Sequence, residues 1–291
     1  MAITIKSKHR KLIKLVLINL TGIIIFLIIL FPVIWLGITS FKSHTELYNL
    51  PIRYLPKKPT LEAYYQIFSR KTYAGQALPW QNYLFNSFFV AGISTVIVVC
   101  LASIAGYGFS RFKFKADKAL LTLLILTRML PGPALMVPIY IMISSYGLYD
   151  SLWGLILVHT AFGLPLTSWL CFGFFNAIPK ELEEAAFVDG CSRIKAFIHV
   201  VLPMGWIGVV SVGTYHFVGS WSEFAFASIL LESQKIRTAP VGLADFIFLF
   251  GTAFFNRVGA AAITMAIPIT IMFLIFQRHF IRGFLAGSLK E

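Results

Sequence analysis

The chain has 291 residues, 58% of them hydrophobic and 13% charged, with a formal net charge of +13 and a mean hydropathy of +0.79. So few charges exclude a water-soluble fold, which would leave too much apolar surface facing water. The basic residues flank apolar runs and build no groove-reading motif, so the positive charge reads as a topology signal rather than as nucleic-acid binding.

In chain order, a basic N-terminus (residues 1–14) with Lys6, Lys8, Arg10, Lys11 and Lys14 precedes an apolar run over Leu15–Ile38. That run exceeds the hydrophobic stretch of a cleaved leader and lacks a small-x-small site, so it is expected to be a first membrane span. About 20 apolar residues cross roughly 30 Å of hydrocarbon. Further runs of that length lie at Phe85–Phe109, Ala119–Ile143, Leu152–Phe175, Met204–Ile229 and Val258–Phe280. Backbone groups need internal partners in lipid, so these segments are expected to be helices. The expected fold is all-α and integral to the membrane, with six spans over residues 15–280. Pro131, Pro133 and Pro138 are expected to kink the third span and Pro268 the sixth. Fifteen basic residues fall on the side of the termini and nine on the other, while Arg128 lies inside the third span. The bias places both termini, including a tail over 281–291, in the cytoplasm. Two long loops on the outer side, Ser40–Leu84 and Leu230–Arg257, carry prolines and aromatic residues respectively.

The loop over residues 176–203 reads NAIPKELEEAAFVDGCSRIKAFIHVVLP. Pro179 suits a first helical position. Glu181, Glu183 and Glu184 suit the positive end of the helix dipole. Gly190 suits the helix end and Ser192 an N-cap for a second short helix ending before Pro203. The spacing predicts a cytosolic helix–turn–helix whose small alanines permit close approach by another protein.

Glu184-Ala185-Ala186, then Gly190, Val200 and Leu202-Pro203, resembles the EAA loop of ABC importer permeases, with Val200 where the family has Ile. Asn86-Ser87 leading into a span that ends Gly106-Tyr107-Gly108-Phe109-Ser110-Arg111-Phe112 resembles sugar permeases. The tail Gly283–Lys290 resembles the second permease of the maltose-type pair. The resemblance implies a bacterial inner-membrane, multi-pass permease for oligosaccharides, anionic ones included. It also implies a homologous second permease, two ATP-binding subunits and an extracytoplasmic solute-binding protein as partners, with membrane lipid around them. Carried over, Glu184, Ala185, Ala186, Phe187, Asp189, Gly190 and Ile194 would contact the ATPase, and Glu184 would meet a basic residue there. The aromatic stretch with Phe250, Phe254, Phe255 and Asn256 would be a scoop entering the binding protein. An interfacial helix is the plainer alternative for it.

No G-x-x-x-x-G-K-[ST] phosphate cradle and no HExxH, CxxC or G-x-S-x-G motif occurs. ATP and its Mg therefore belong to partner chains, and no catalytic or metal site is expected here. Cys100, Cys171 and Cys191 are odd in number and unclustered, as packing residues are. Arg128 is a candidate lining of the substrate path, with pairing to carbonyls freed by Pro131 and Pro133 as its alternative. Trp221, Ser222 and Glu223 offer an aromatic face and polar groups for a sugar. His159 and His216 read as isolated packing residues. The rival reading, a secondary transporter or channel working without an ATPase, would want paired intramembrane charges and would leave the 176–203 loop unexplained.

Overall fold

The computed structural model describes residues 2–51, 53–69, 78–250 and 254–288, and the side chains of 14–51, 53–69, 78–248 and 254–277. The described residues form helices α1 (Ala2–Ser40), α2 (His44–Leu47), α3 (Glu62–Phe68), α4 (Trp80–Arg111), α5 (Asp117–Leu126), α6 (Gly132–Ser145) and α7 (Leu152–Asn176). They continue as α8 (Glu181–Val188), α9 (Arg193–Ala196), α10 (Leu202–Trp221), α11 (Ala225–Leu230), α12 (Ala239–Phe250) and α13 (Phe255–Ser288). Among the described residues, five helices are long and apolar enough to cross a bilayer, and the pair around residue 130 makes a sixth candidate.

That third span is broken rather than kinked, with its two halves bent by 97°. Leu130, which precedes Pro131, is extended because the proline ring disfavours a helical conformation there. Pro131 then caps α6, whose first turn contains Pro133, while Pro138 is accommodated inside α6. The fifth span also ends sooner than hydropathy suggests. It stops at Trp221, and residues 225–230 form the separate helix α11. Pro268 lies inside α13, which runs through it to Ser288.

The chain divides into two compact units, residues 1–75 with 246–264, and residues 76–245 with 265–291. In the first, the end of α1 packs on the start of α13, where a Cβ on Gly259 would stand 2.8 Å from the Leu36 carbonyl. The loop beyond α1 is tied down by polar contacts. Asn256 donates to the Lys42 carbonyl at 3.1 Å, and the Arg257 Nε donates to Gln66 at 2.7 Å. The lipid-length part of α1 exposes its apolar side chains on all sides within this chain.

The second unit is built on α4, α7 and α10. Gly106 lets α4 and α7 approach closely, since a Cβ there would stand 2.6 Å from the Cys171 Cβ and 2.7 Å from the Phe172 amide. Around that crossing Tyr107, Phe175, Val201, Val209 and Val212 form an apolar cluster. At the other end, Asn86 donates to the carbonyls of Lys235 and Arg237, each at 3.0 Å, and the Ser87 hydroxyl accepts the Ala239 amide at 2.8 Å. Asp150, in a left-handed conformation at φ 54°, accepts the amides of Glu232 and Ser233, both at 2.8 Å, and the Ser233 hydroxyl. Slight burial works to raise the Asp150 carboxyl. The Ser233 hydroxyl, the two amides and the Arg237 charge outweigh it and hold the group below the usual carboxylate range.

Two outcomes follow. Gly106→Val should lower the thermal midpoint of the purified chain by several degrees, whereas Gly108→Ala, which meets open space, should leave it within about one degree. The depressed Asp150 carboxyl stabilises the fold above its unfolded pKa, and that stabilisation is lost as pH falls through the folded value. Unfolding midpoints measured against pH should therefore fall more on acidification in the parent chain than in Asp150→Asn.

Candidate functional site

The segment after α7 folds locally as its residues dictate. Helix α8 closes with Gly190 at φ +83°, where the Cys191 amide reaches the Ala186 carbonyl at 2.9 Å and the Gly190 amide reaches Phe187 at 3.0 Å. This paired bonding satisfies the last carbonyls of the helix and needs a residue free of a Cβ. Ser192 caps α9 by accepting the Lys195 amide at 3.4 Å. At the start, α8 begins at Glu181 with Lys180 as N-cap, so Pro179 lies outside the helix rather than at its first position.

The second helix does not stop before Pro203. A π-helical turn over Phe197–Val201 carries it directly into α10, the Leu202 amide reaching back to the Phe197 carbonyl. Pro203 has no N–H to give the His199 carbonyl, and a single wide turn is one way the chain absorbs that loss. The helix–turn–helix is thus continuous with a membrane-length helix over Arg193–Trp221.

Glu183 is not a helix-dipole residue in solvent. Its side chain is 4% exposed and meets Arg111, 6% exposed, at 2.6 Å from Nε to Oε2. Its other oxygen accepts the Tyr107 hydroxyl. The remaining Arg111 nitrogens donate to the carbonyls of Phe175 and Ile178, each at 3.2 Å. One guanidinium therefore joins the ends of α4 and α7 to α8. A cation at the C-terminus of α7 also meets the negative end of that helix. The aromatic rings of Tyr107 and Phe197 pack beneath it, 4.6 Å between centroids.

With Glu183 turned inward, Glu184, Ala185, Asp189 and Gly190 are exposed and Ala186 is buried. Phe187 is half-buried, with the Arg193 guanidinium 5.8 Å from its ring. Ile194 is 73% exposed and Val188 88%, and Val188 is an outward apolar residue that sequence reading missed.

A second polar site lies among α7, α10 and the break in the third span. A cleft of about 250 Å³ is lined by Arg128, His159, Tyr215, His216, Ser220 and Glu223, among others. Arg128 donates to the Phe162 carbonyl of α7 at 3.0 Å, not to carbonyls beside Pro131 and Pro133. Glu223 accepts the amides of Phe226 at 2.7 Å and Ala227 at 3.0 Å. His159 links Glu223, at 3.3 Å, to Ser220, at 2.5 Å. Ser220 meets Ser94 at 3.2 Å, and Ser94 meets His216 at 3.3 Å. The two histidines are therefore joined in one chain of hydrogen bonds, not isolated. Trp221 is buried and donates to the Met265 carbonyl at 3.3 Å, so its expected place beside a sugar is corrected. The Ser222 hydroxyl is turned back to the Val218 carbonyl at 2.7 Å.

Of the aromatic stretch, the Phe250 side chain lies outside the described residues. Phe254 stacks on His44, 4.6 Å between centroids. Asn256 is buried and bound to Lys42, which removes it as a surface contact. Phe255 is the outward member of the set.

These features define a polytopic helical subunit with an extramembrane helix–turn–helix rooted in its spans and a polar cleft within them. Residues 98–285 match the family described as binding-protein-dependent transport system inner membrane component, and the chain belongs to that family. It is 36% identical over 265 residues to the sulfoquinovosyl glycerol transport system permease protein SmoH of Agrobacterium fabrum, covering 90% of this chain and 89% of the relative. It is 32% identical over 282 residues to the trehalose/maltose transport system permease protein MalG of Thermococcus litoralis, covering 97% and 99%. The fold matches a chain of a bacterial ABC transporter involved in import of the acidic polysaccharide alginate, with a TM-score of 0.76 at 20% identity over 93% and 97% of the two chains. The chain is thus an inner-membrane transport subunit of the sugar-permease kind, as residues 86–87, 106–112, 184–203 and 283–290 suggest, and not an enzyme.

Arg111→Ala would strand a buried carboxylate, a change that costs about 3–5 kcal/mol. Thermal unfolding of the purified full chain should show a clear fall for this variant, and a midpoint equal to the parent's would contradict the pairing.

Proposed function

We propose that the chain is one of two permeases in an ATP-driven importer of carbohydrates, its termini in the cytoplasm. A homologous permease completes the path, two ATP-binding subunits supply ATP and Mg chemistry, and an extracytoplasmic binding protein delivers the cargo. In this reading, residues 181–194 are the coupling surface. The observation that carries it is the outward face of α8 and α9. Val188 and Ile194 stand out as apolar knobs beside the small Ala185, with Glu184 and Asp189 as charges at the rim. Apolar groups ringed by charge are the anatomy of a docking surface.

The face is held by Arg111 and Glu183 and merges into α10. A push on it is therefore delivered to the spans rather than absorbed by a hinge. Closure of the ATPases would move α4, α7 and α10 with α8 and switch access to the cleft between the two sides of the membrane. No bond is made or broken in this chain. Names of relatives that carry sulfoquinovosyl glycerol, trehalose and maltose support a carbohydrate cargo.

Co-expression and mild solubilisation test this reading. The full chain should bring down ATP-binding subunits, and the pair Val188→Asp with Ile194→Asp should reduce their recovery at least about tenfold, as loss of a docking hot spot does. Both side chains are outward, so the variant's thermal midpoint should not move. If no ATPase accompanies the parent chain, the stand-alone transporter takes first place.

A further inference from the structure

The cleft among α7, α10 and the broken span carries a charge that its protein contacts do not account for. Arg128 lies eleven residues beyond Asp117 at the start of α5, a rise of about 16 Å. With the charged Asp117 at the polar boundary, that rise brings Arg128 near the middle of a hydrocarbon core of roughly 30 Å. A guanidinium placed there costs about 2.5–3.5 kcal/mol on insertion scales, so it faces a partner or water. Among the described residues its protein hydrogen bond is to the Phe162 carbonyl, and no carboxylate lies within ion-pair distance of it. Most of its N–H groups are left for something else.

Two independent features agree. The span carrying Arg128 is interrupted at that point by a 3-10 turn over Thr127–Met129 and an extended Leu130. Unwound backbone at membrane depth is tolerated where it is enclosed by protein or lines a water-filled cavity. Opposite it, polar side chains are held in fixed positions. Glu223 is pinned by two amides and by His159, and His159 is pinned by Ser220. Glu223 still has acceptor capacity for hydroxyl groups.

We propose that this cleft is an anion-selecting subsite on the cargo path. The acidic group of a sugar, carboxylate or sulfonate, rests against Arg128, and neighbouring hydroxyls donate to Glu223 or bond with His159 and Ser220. This subsite presupposes the transport role proposed above and adds to it the charge of the cargo.

Cysteine labelling of the full chain in lipid nanodiscs tests it. Gly219 lines the cleft and a Cβ there meets nothing within 4 Å, so Gly219→Cys, with Cys100→Ser and Cys191→Ser, places a reporter thiol. Its rate with a sulfonate-bearing methanethiosulfonate is compared with that of a trimethylammonium-bearing one, each corrected by its rate with a free small thiol. The anionic reagent should be favoured severalfold, because a positive charge facing the cleft attracts it and repels the cationic one. Arg128→Gln should bring the ratio near one, and Arg128→Lys should restore most of it. Digalacturonate should slow labelling where maltose does not. Equal rates in the parent, a preference that survives Arg128→Gln, a thiol unreachable from water, or no difference between the two sugars would overturn the subsite. Capture of ATP-binding subunits does not involve Arg128. Lost selectivity with capture intact therefore removes the subsite alone, and lost capture with selectivity intact removes the importer reading alone.

Discussion

A charge pair taken out of water is costly unless further hydrogen bonds support it, and the Arg111–Glu183 pair has such support on every guanidinium nitrogen and both carboxylate oxygens. Glu183 has one oxygen on Arg111 and the other on the Tyr107 hydroxyl, while Arg111 spends its remaining nitrogens on two carbonyls at the end of α7. Because removing any partner exposes another to an unpaired burial, the arrangement holds α4, α7 and α8 in one relation. From α8 the chain turns once at Gly190 and enters a helix that runs on into α10. The outward face of the helix–turn–helix is therefore joined to the spans without a break after the Gly190 turn.

The same unit separates rigidity from openness. Where α4 and α7 meet at Gly106, their backbones are too close for a Cβ, and the packing is apolar. Toward the other end, polar staples at Asn86, Ser87 and Asp150 hold the connecting segments. Between these lies the cleft, with a broken span on one side and a histidine–serine–glutamate chain on the other. Polar groups at this depth are expensive wherever they have no work, and here they are concentrated in one place.

Much of this was legible in the residues, for local reasons. Long apolar runs fix helices in lipid, Gly190 suits a left-handed helix end, and Ser192 suits an N-cap. The motif over residues 184–203 and its flanking segments pointed to the family that residues 98–285 match. What failed was non-local. Glu183 looked like a dipole-favoured acid because nothing in sequence joins it to Arg111, 72 residues away. Opposite charges at the ends of two spans on the same side were the one available signal. In a chain this apolar, nearly every position could face a neighbour or lipid. Periodicity therefore does not say which spans adjoin, and His159 and His216 looked isolated. Pro131, Pro133 and Pro138 were read as a kink, but the ring of Pro131 holds Leu130 extended and ends the helix outright. Trp221 was placed by its chemistry beside a sugar, yet its ring is spent on packing and on the Met265 carbonyl.

The central claim is that force on α8 reaches the spans through Glu183. The most direct measurement is the number of cargo molecules imported per ATP hydrolysed by the assembled importer in proteoliposomes, comparing the parent with Glu183→Gln. The neutral side chain keeps its size but loses the charge that holds Arg111. Hydrolysis should persist while import per ATP falls at least about tenfold, a coupling loss of roughly 1.4 kcal/mol or more. An unchanged ratio with all subunits assembled would show that coupling does not run through this pair.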